Sequence, residues 1–450
     1  MKKNSLIDIY LQNYSAGEKW KLIANDTADI SQVVVIPAFA EKEMIFHTLA
    51  SLAQNPPSAR EYSFILCVVN NKDHSPVPAK ENNRQTMQYL DALVKRKSMH
   101  HFKKDVELYP LLVQVCDADM KLGYIDASSK GYEIPSNAGG VGMARKIGMD
   151  HALRMLRHNS SPHNVILSLD ADTLVPRNYL STVKKFFKPE VKTAIVAYEH
   201  QMPDDPASQA AIVCYEIFLR YWVLGLQYAK SPWAFHSIGS TIAVSPQAYL
   251  EVRGMNKREA GEDFYFLSKL AKIGRIDYIK ETCVYPSARP SSRVPFGTGK
   301  RIQRFLEGRC NEEYCLYDPR IFSILAGWLQ LLNGLTGCED EILKNAEMIH
   351  PRLKTFLKEN NFPDIWSRIR RTAKDKKTLA GHLHGWYDGF KTLKLINYFT
   401  REVYPLINMF EALKTMLAMS GWSEHYLVPD EKVPPLKRQM EILNRLRMLT

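Results

Sequence analysis

The stretch VILSLDADTLVPRNYL, Val165–Leu180, decides how the first two thirds of the chain are read. It opens as an apolar run of strand length and closes on two carboxylates, Asp170 and Asp172, one residue apart. Alternate residues of an extended segment point to the same side, so both acids can face one ligand. Pro176 follows, a residue suited to the first position of a helix.

Working outward, strand and helix patterns alternate. QVVVIPAFA (32–40) is a β-branched run stopped by Pro37, and EKEMIFHTLASLAQ (41–54) carries Met44, Ile45, Thr48, Leu49 and Leu52 at helical spacing. YSFILCVVNN (62–71) predicts a second buried strand, NRQTMQYLDALVKRK (83–97) an amphipathic helix, and LYPLLVQVCDAD (108–119) a third strand. The polar segment MKLGYIDASSKGYEIPSNAGG (120–140) reads as an insertion or mobile loop. GGVGMARKIGMDHALRMLRH (139–158) is a glycine-opened helix, NVILSLDADT (164–173) a fourth strand and KTAIVAYEH (192–200) a fifth, with the helix PRNYLSTVKKFF between them. This alternation predicts an α/β fold: a mostly parallel sheet covered by helices, with ligands beyond the carboxyl ends of its strands. From about Arg301 only helical patterns with short loops remain, so residues 1–300 are expected to form the sheet domain and 301–450 an α-helical domain or extension.

Hydrophobic residues make up 45% of the 450 and charged residues 24%, an ordinary balance for a folded chain. The net charge of +12 favours anionic partners, phosphate groups or a membrane surface. No zinc-finger spacing or RNA-binding signature is present, so nucleic acid is not an expected partner. The N-terminus lacks an apolar core of signal-peptide length, and no stretch reaches the roughly 18 uncharged residues of a spanning helix. Seven cysteines, an odd number mostly in apolar runs, read as free thiols of a reducing compartment. The expectation is a cytoplasmic protein, with association at a membrane surface left open.

Two hard oxygen donors such as Asp170 and Asp172 suit Mg²⁺ or Mn²⁺ held jointly with substrate phosphates. CDADM has the same spacing at Asp117 and Asp119, but no helix-opening proline follows it. In NAGGVGMARKIGMD, Gly139, Gly140 and Gly142 precede a helix bearing Arg145 and Lys146, either a backbone cradle for phosphate or a glycine loop with a solvated Arg–Lys pair. Glu262 and Asp263 open a helix, where acids favour the dipole or where one could serve as a general base. The small residues GST (239–241) would leave room for an acceptor. SARPSSRVPFGTGKR (287–301), with Arg289, Arg293, Lys300 and Arg301, could close over a diphosphate. His382 with His384, and Cys310 with Cys315, complete no metal-ligand set.

In this order the features resemble the glycosyltransferases of family 2, which have the GT-A fold, over residues 30–300. The carriers are VVVIPAFAEKE, GMARKIG, LSLDADTLVPRNYL and VRGMNKREAGEDFYF. The resemblance implies a UDP- or GDP-linked sugar donor, a hydroxyl acceptor and Mn²⁺ or Mg²⁺. It places Pro37, Ala38 and Glu41 in the nucleotide pocket, Asn70 or Asn71 at the base or ribose, and Arg145 beside the nucleotide. Asp170 and Ala171 would line the ribose and metal region, and Asp172 would ligate the metal with Asp170; Arg293, from the basic loop 287–301, is the further candidate for binding the nucleotide sugar. Asp263 would be the base of an inverting transfer, supported by Glu262. Ala40 stands where the family usually has asparagine, Asn70 and Asn71 where an acid usually reads the base, and ETCVYPSARP lacks the histidine many such enzymes supply to the metal. A sugar-phosphate nucleotidyltransferase and a non-catalytic nucleotide-sugar-binding protein are the alternatives. The C-terminal tryptophans, Trp328, Trp366, Trp386 and Trp422, read first as core, then as an acceptor platform or a homodimer contact.

Overall fold

The computed structural model describes residues 6–157, 163–291, 297–334, 337–423 and 428–450. The chain forms two compact units, one of residues 1–201 with 237–288 and one of 202–236 with 289–450. The helical unit therefore takes in a segment, 202–236, that lies before the division expected at 297–301.

The first unit is built on eight strands: β1 (Leu22–Ala24), β2 (Gln32–Ala38), β3 (Ser63–Asn70), β4 (Lys121–Ala127), β5 (Val165–Ser168), β6 (Thr193–Tyr198), β7 (Ile242–Val244) and β8 (Ile276–Val284). Their order across the sheet is β1-β4-β3-β2-β5-β7-β6-β8. The pairs β4/β3, β3/β2, β2/β5 and β6/β8 are parallel, while β1 and β7 run antiparallel to their neighbours. Every residue of β2 and of β3 is buried, as expected of central strands covered on both faces. The expected mostly parallel α/β sheet is thus the observed one.

One expected element is different. LYPLLVQVCDAD is not a strand; Tyr109–Asp117 is a helix, and the third strand in sequence through the central sheet is the polar-looking KLGYIDA that follows. Leu108, Leu112 and Val115 are its buried apolar residues, spaced four and then three apart, and Pro110 lies in its first turn. β4 pairs on one side only with the three-residue β1, so it tolerates Lys121 and Asp126 at its ends. Asp117 and Asp119 consequently lie before a strand rather than after one, and Asp119 pairs with the exposed Arg96.

The helix Gly140–Leu156 packs on β2 and β3 and is buried on nearly all sides. A Cβ on Gly148 would sit 2.3 Å from Val35 Cγ1, so only glycine permits this approach. Burial forces its charged residues to be paired. Lys146 donates to Tyr10 Oη (2.8 Å), and Asp150 accepts from Tyr10 Oη (2.6 Å), Tyr249 Oη (2.7 Å) and the Ala16 amide (2.7 Å). This network anchors the N-terminal helix Leu6–Asn13 to the domain. Arg145 and Lys146 are therefore not a solvated pair: both are buried.

In the second unit a single apolar core unites the helix Pro206–Tyr228 with the C-terminal helices. Trp328 and Trp366 are fully buried within it, whereas Trp422 is exposed. Pro206–Tyr228 is the one helix, among the described residues, long and apolar enough to cross a membrane, and 67% of its apolar window is buried inside the protein. All seven cysteines are free thiols.

Candidate active site

The sheet fixes where a site can lie. From β2 the chain winds outward through β3 to β4 and then returns to β5 on the other side of β2. The carboxyl ends of β2 and β5 thus flank a point where the winding reverses, and in open α/β sheets this crevice is where ligands bind. The crevice is also opened locally. β2 pairs with β3 as far as Ala38, but with β5 only as far as Val35 opposite Ser168. Beyond Leu169, whose amide donates to Val35 O, the β5 chain turns away into Asp170–Ala171–Asp172. Pro37, with no N–H to offer, falls where the ladder to β5 has already ended. Thr48, from the helix after β2, donates to Ala171 O (2.8 Å), and Gln201 donates to Asp172 O (2.9 Å), so the acidic turn is fixed from both sides.

Arg145 occupies the centre of this edge. Its Nη2 donates to Asp170 Oδ1 (2.5 Å) and its Nε to Glu262 Oε1 (2.9 Å). Its Nη1 donates to Ser168 Oγ and to Gly239 O (3.3 Å). The second oxygen of Asp170 accepts from Ser240 Oγ at 2.5 Å, and Ser240 also meets Thr173 Oγ1 at 2.9 Å. Four chain segments far apart in sequence are tied together by one planar fork of donors, a geometry a lysine cannot reproduce. Burial disfavours the charged guanidinium, but Asp170, Glu262 and Asp263 more than offset this and raise its pKa. Its donors are turned inward to the protein, where they order the acids.

The glycines act by contact rather than by cradling phosphate. A Cβ on Gly139 would lie 2.2 Å from the Arg258 carbonyl carbon, and one on Gly142 would lie 2.4 Å from Arg258 O. The Gly142 amide donates to that same oxygen (3.2 Å). The glycine-rich helix start therefore clamps the segment that leads into Glu262 and Asp263, and Gly261 enters their helix with φ +68°. The GST turn is likewise occupied. A Cβ on Gly239 would stand 2.2 Å from Arg145 Nη2 and 2.8 Å from its Cζ, so this turn makes room for the guanidinium, not for an acceptor. Gly239→Ala should accordingly expel Arg145 and destabilise the domain by about 2–3 kcal/mol, read by denaturant unfolding. An unchanged midpoint would remove Gly239 from the site.

The other expected residues are placed as follows. Asn70 Nδ2 donates to Ala38 O (3.0 Å), and Asn71 Nδ2 to Ser128 O (3.2 Å). Both asparagines are buried staples that join strand ends, so their amides are not directed at a base. Asn83, which the sequence did not single out, joins them: it donates to Asn70 O and Asn71 Oδ1 and accepts from the Ala40 amide (2.9 Å). Ala40 has φ +53°, the left-handed region in which asparagine is at ease and alanine is not. Asn83 holds that turn from outside. Glu41 is buried at the start of the helix Lys42–Ala53. Arg293 lies outside the described residues.

Asp263 is half-buried, with one oxygen taking the Phe264 amide (2.7 Å). Burial first, then the charges of Glu262 and Asp170, push its carboxyl up to about 7, against the opposing pull of the Phe264 amide and Arg145. Its partial exposure leaves room for water to screen part of that effect. A carboxylate tuned near neutrality at a strand-end crevice is equipped to take a proton.

Asp170 and Asp172 are the two carboxylates expected at a divalent ion. Both oxygens of Asp170 are engaged by Arg145 and Ser240, and no group of three His, Cys, Asp or Glu side chains converges among the described residues. The other carboxylate of the turn, Asp172, is a hard oxygen donor of the kind that suits an ion arriving with phosphate oxygens and water, as Mg²⁺ and Mn²⁺ commonly do.

No family model and no curated protein matches this chain. Among solved structures it is similar to S. aureus TarS 1-349 in complex with UDP-GlcNAc, at 11% identity and a TM-score of 0.34, over 93% of this chain and 90% of that one. It is also similar to the mannosyltransferase PcManGT from Pyrobaculum calidifontis in complex with GDP-Man and Mn²⁺, at 12% identity and a TM-score of 0.35, over 98% and 91%. The fold and the site geometry rest on this chain's own residues.

Proposed function

We propose that this protein is a glycosyltransferase that moves a sugar from a nucleoside-diphosphate sugar to a hydroxyl acceptor. The observation that carries the reading is the convergence of Asp170, Arg145 and Glu262, with Asp263 beside them, at the reversal point of an α/β sheet. The resemblance of the same segments to family 2 glycosyltransferases supports it.

In this reading the nucleotide lies over the ends of β2 and β3, along Pro37, Ala38 and Glu41. Asn70, Asn71 and Asn83 shape that floor without reading the base. The ion held by Asp172 with the diphosphate would supply positive charge to the leaving group. Asp263 accepts the acceptor's proton as its oxygen bonds to the anomeric carbon, and the bond from that carbon to the diphosphate breaks on the opposite face. The products are an inverted glycoside, a protonated Asp263 and the nucleoside diphosphate. Arg145 keeps Asp170 and Glu262 fixed, which holds Asp263 in place.

The experiment is a panel of UDP- and GDP-sugars, with and without Mn²⁺, followed by release of nucleoside diphosphate. Release from at least one donor, lost in Asp263→Asn, is expected; intact donors across the panel in the presence of varied hydroxyl acceptors would remove the reading. A second expectation concerns the ion. With Asp170 engaged by Arg145, calorimetry should show little Mn²⁺ binding to the protein alone and saturable binding once UDP or GDP is present. Equally tight binding without nucleotide would contradict the assignment to Asp172.

A further inference from the structure

The second unit carries a cationic surface that the transfer reaction does not use. The helices Phe362–Thr372 and Lys376–Trp386 are joined by a short turn into a hairpin, in which the Phe362 and Trp386 rings lie 5.3 Å apart and Thr372 Oγ1 is 3.4 Å from His382 Nδ1. Phe362, Trp366, Ile369 and Leu383 are buried. The face and tip left to solvent hold Arg368, Arg370, Arg371, Lys374, Lys376 and Lys377, all exposed.

These six cations lack the partners found elsewhere. Exposed arginines at other helix surfaces sit against acids, as in Arg84–Glu81, Arg309–Glu312 and Arg438–Glu441. The acids placed near these cations are Asp375, Glu339, whose carboxyl the Ser367 hydroxyl and also Arg370 help to hold low, and Glu341 beside Gly337. Asp375 takes the Thr378 amide as a helix cap, and Glu339 takes the Ser367 hydroxyl. Arg370 is spent on Gly337 O (2.8 Å) and the Trp366 ring. Among the described residues, none of the six has a carboxylate within ion-pair distance. Concentrating unpaired like charges is unfavourable for the isolated protein, and an anionic partner relieves it.

We propose that the hairpin tip docks on a membrane surface of anionic lipid headgroups. The cations have long side chains and are exposed on and beside one turn, so they can meet several headgroup phosphates at once, each adding to the attraction within a Debye length. The aromatic rings of the helix Phe362–Thr372 are buried in the core, so the tip offers no stacking platform of the kind that single-stranded nucleic acid uses. This surface is independent of the reading of the sheet-edge site.

The test is co-sedimentation of the full chain with vesicles of phosphatidylcholine alone or mixed with phosphatidylglycerol, at low and high salt, beside a duplex-DNA binding assay. A variant combining Arg368→Gln, Arg371→Gln, Lys374→Gln and Lys377→Gln is compared with a control of equal charge change, Lys103→Gln, Lys104→Gln, Lys188→Gln and Lys437→Gln. The proposal expects salt-sensitive binding to the anionic vesicles only, weakened at least about tenfold in the tip variant and within about twofold of wild type in the control. Absence of binding to anionic vesicles, equal losses in both variants, or a tip-dependent affinity for DNA exceeding that for vesicles would overturn it.

Discussion

Arg145→Ala is expected to destabilise the first domain by about 3–5 kcal/mol, the cost of leaving buried charges without their partner. A domain of this kind has only about 5–15 kcal/mol of stability in total, so the loss should be plain in a denaturant titration. The cause is specific. Asp170 and Glu262 lose their shared counter-ion, and Ser168 Oγ and Gly239 O lose a donor together. Arg145→Lys should recover only part of the stability, because an ammonium is a single point and cannot span acceptors on three segments. Adding Asp170→Asn and Glu262→Gln to Arg145→Met should restore stability without restoring transfer, since the charges that needed compensation are then gone. A midpoint for Arg145→Ala equal to wild type would mean that the guanidinium does not hold the acids in solution.

Asp263→Asn should lower transfer by about 10²–10⁴-fold, the usual contribution of a positioned general base, while the fold persists. The asparagine keeps an acceptor for the Phe264 amide. Two pH signatures separate this from structural damage. Wild-type activity should rise as pH passes through about 7, where the Asp263 carboxyl gives up its proton. The stability effect has the opposite sense. A carboxyl whose folded pKa lies above its ordinary value takes up a proton on folding, so its contribution to stability is lost as pH rises from about 4 to about 7. The neutral asparagine has no such loss, and at pH 8 the variant should be at least as stable as wild type. Reduced activity together with reduced stability at that pH would instead assign Asp263 a structural role.

Much of the fold was legible in the sequence because central parallel strands have a simple signature. QVVVIPA, SFILCVVN and VILS are apolar runs with polar residues only at their ends, and a strand covered on both faces is written that way. The signature fails towards the edges. KLGYIDA mixes polar and small residues because β4 has only β1 beyond it, and the three-residue β1 and β7 are too short to show a period. Tyr109–Asp117 reads as a strand because Leu111, Leu112, Val113 and Val115 make an apolar run of strand length, and its helical spacing shows only in which of them are buried. The site divides in the same way. Asp170, Glu262 and Asp263 announce themselves as acids at element ends. Ser168 and Asn83 do not, and Gly239 and Ser240 show only as small residues, because what these four contribute is an approach distance or hydrogen bonds to residues distant in sequence. Only the neighbour across the gap, Arg145 for Gly239 or Ala40 for Asn83, gives such residues a meaning.

The most direct measurement is a crystal structure of the protein soaked with UDP or GDP and MnCl₂, with the manganese located by its anomalous signal. The account predicts a nucleoside diphosphate over the ends of β2 and β3 and a manganese peak shared by its phosphates and the Asp172 carboxylate, with Arg145 still bound to Asp170 and Glu262. A nucleotide seated elsewhere on the chain, or manganese held at a site that excludes Asp172, would contradict it.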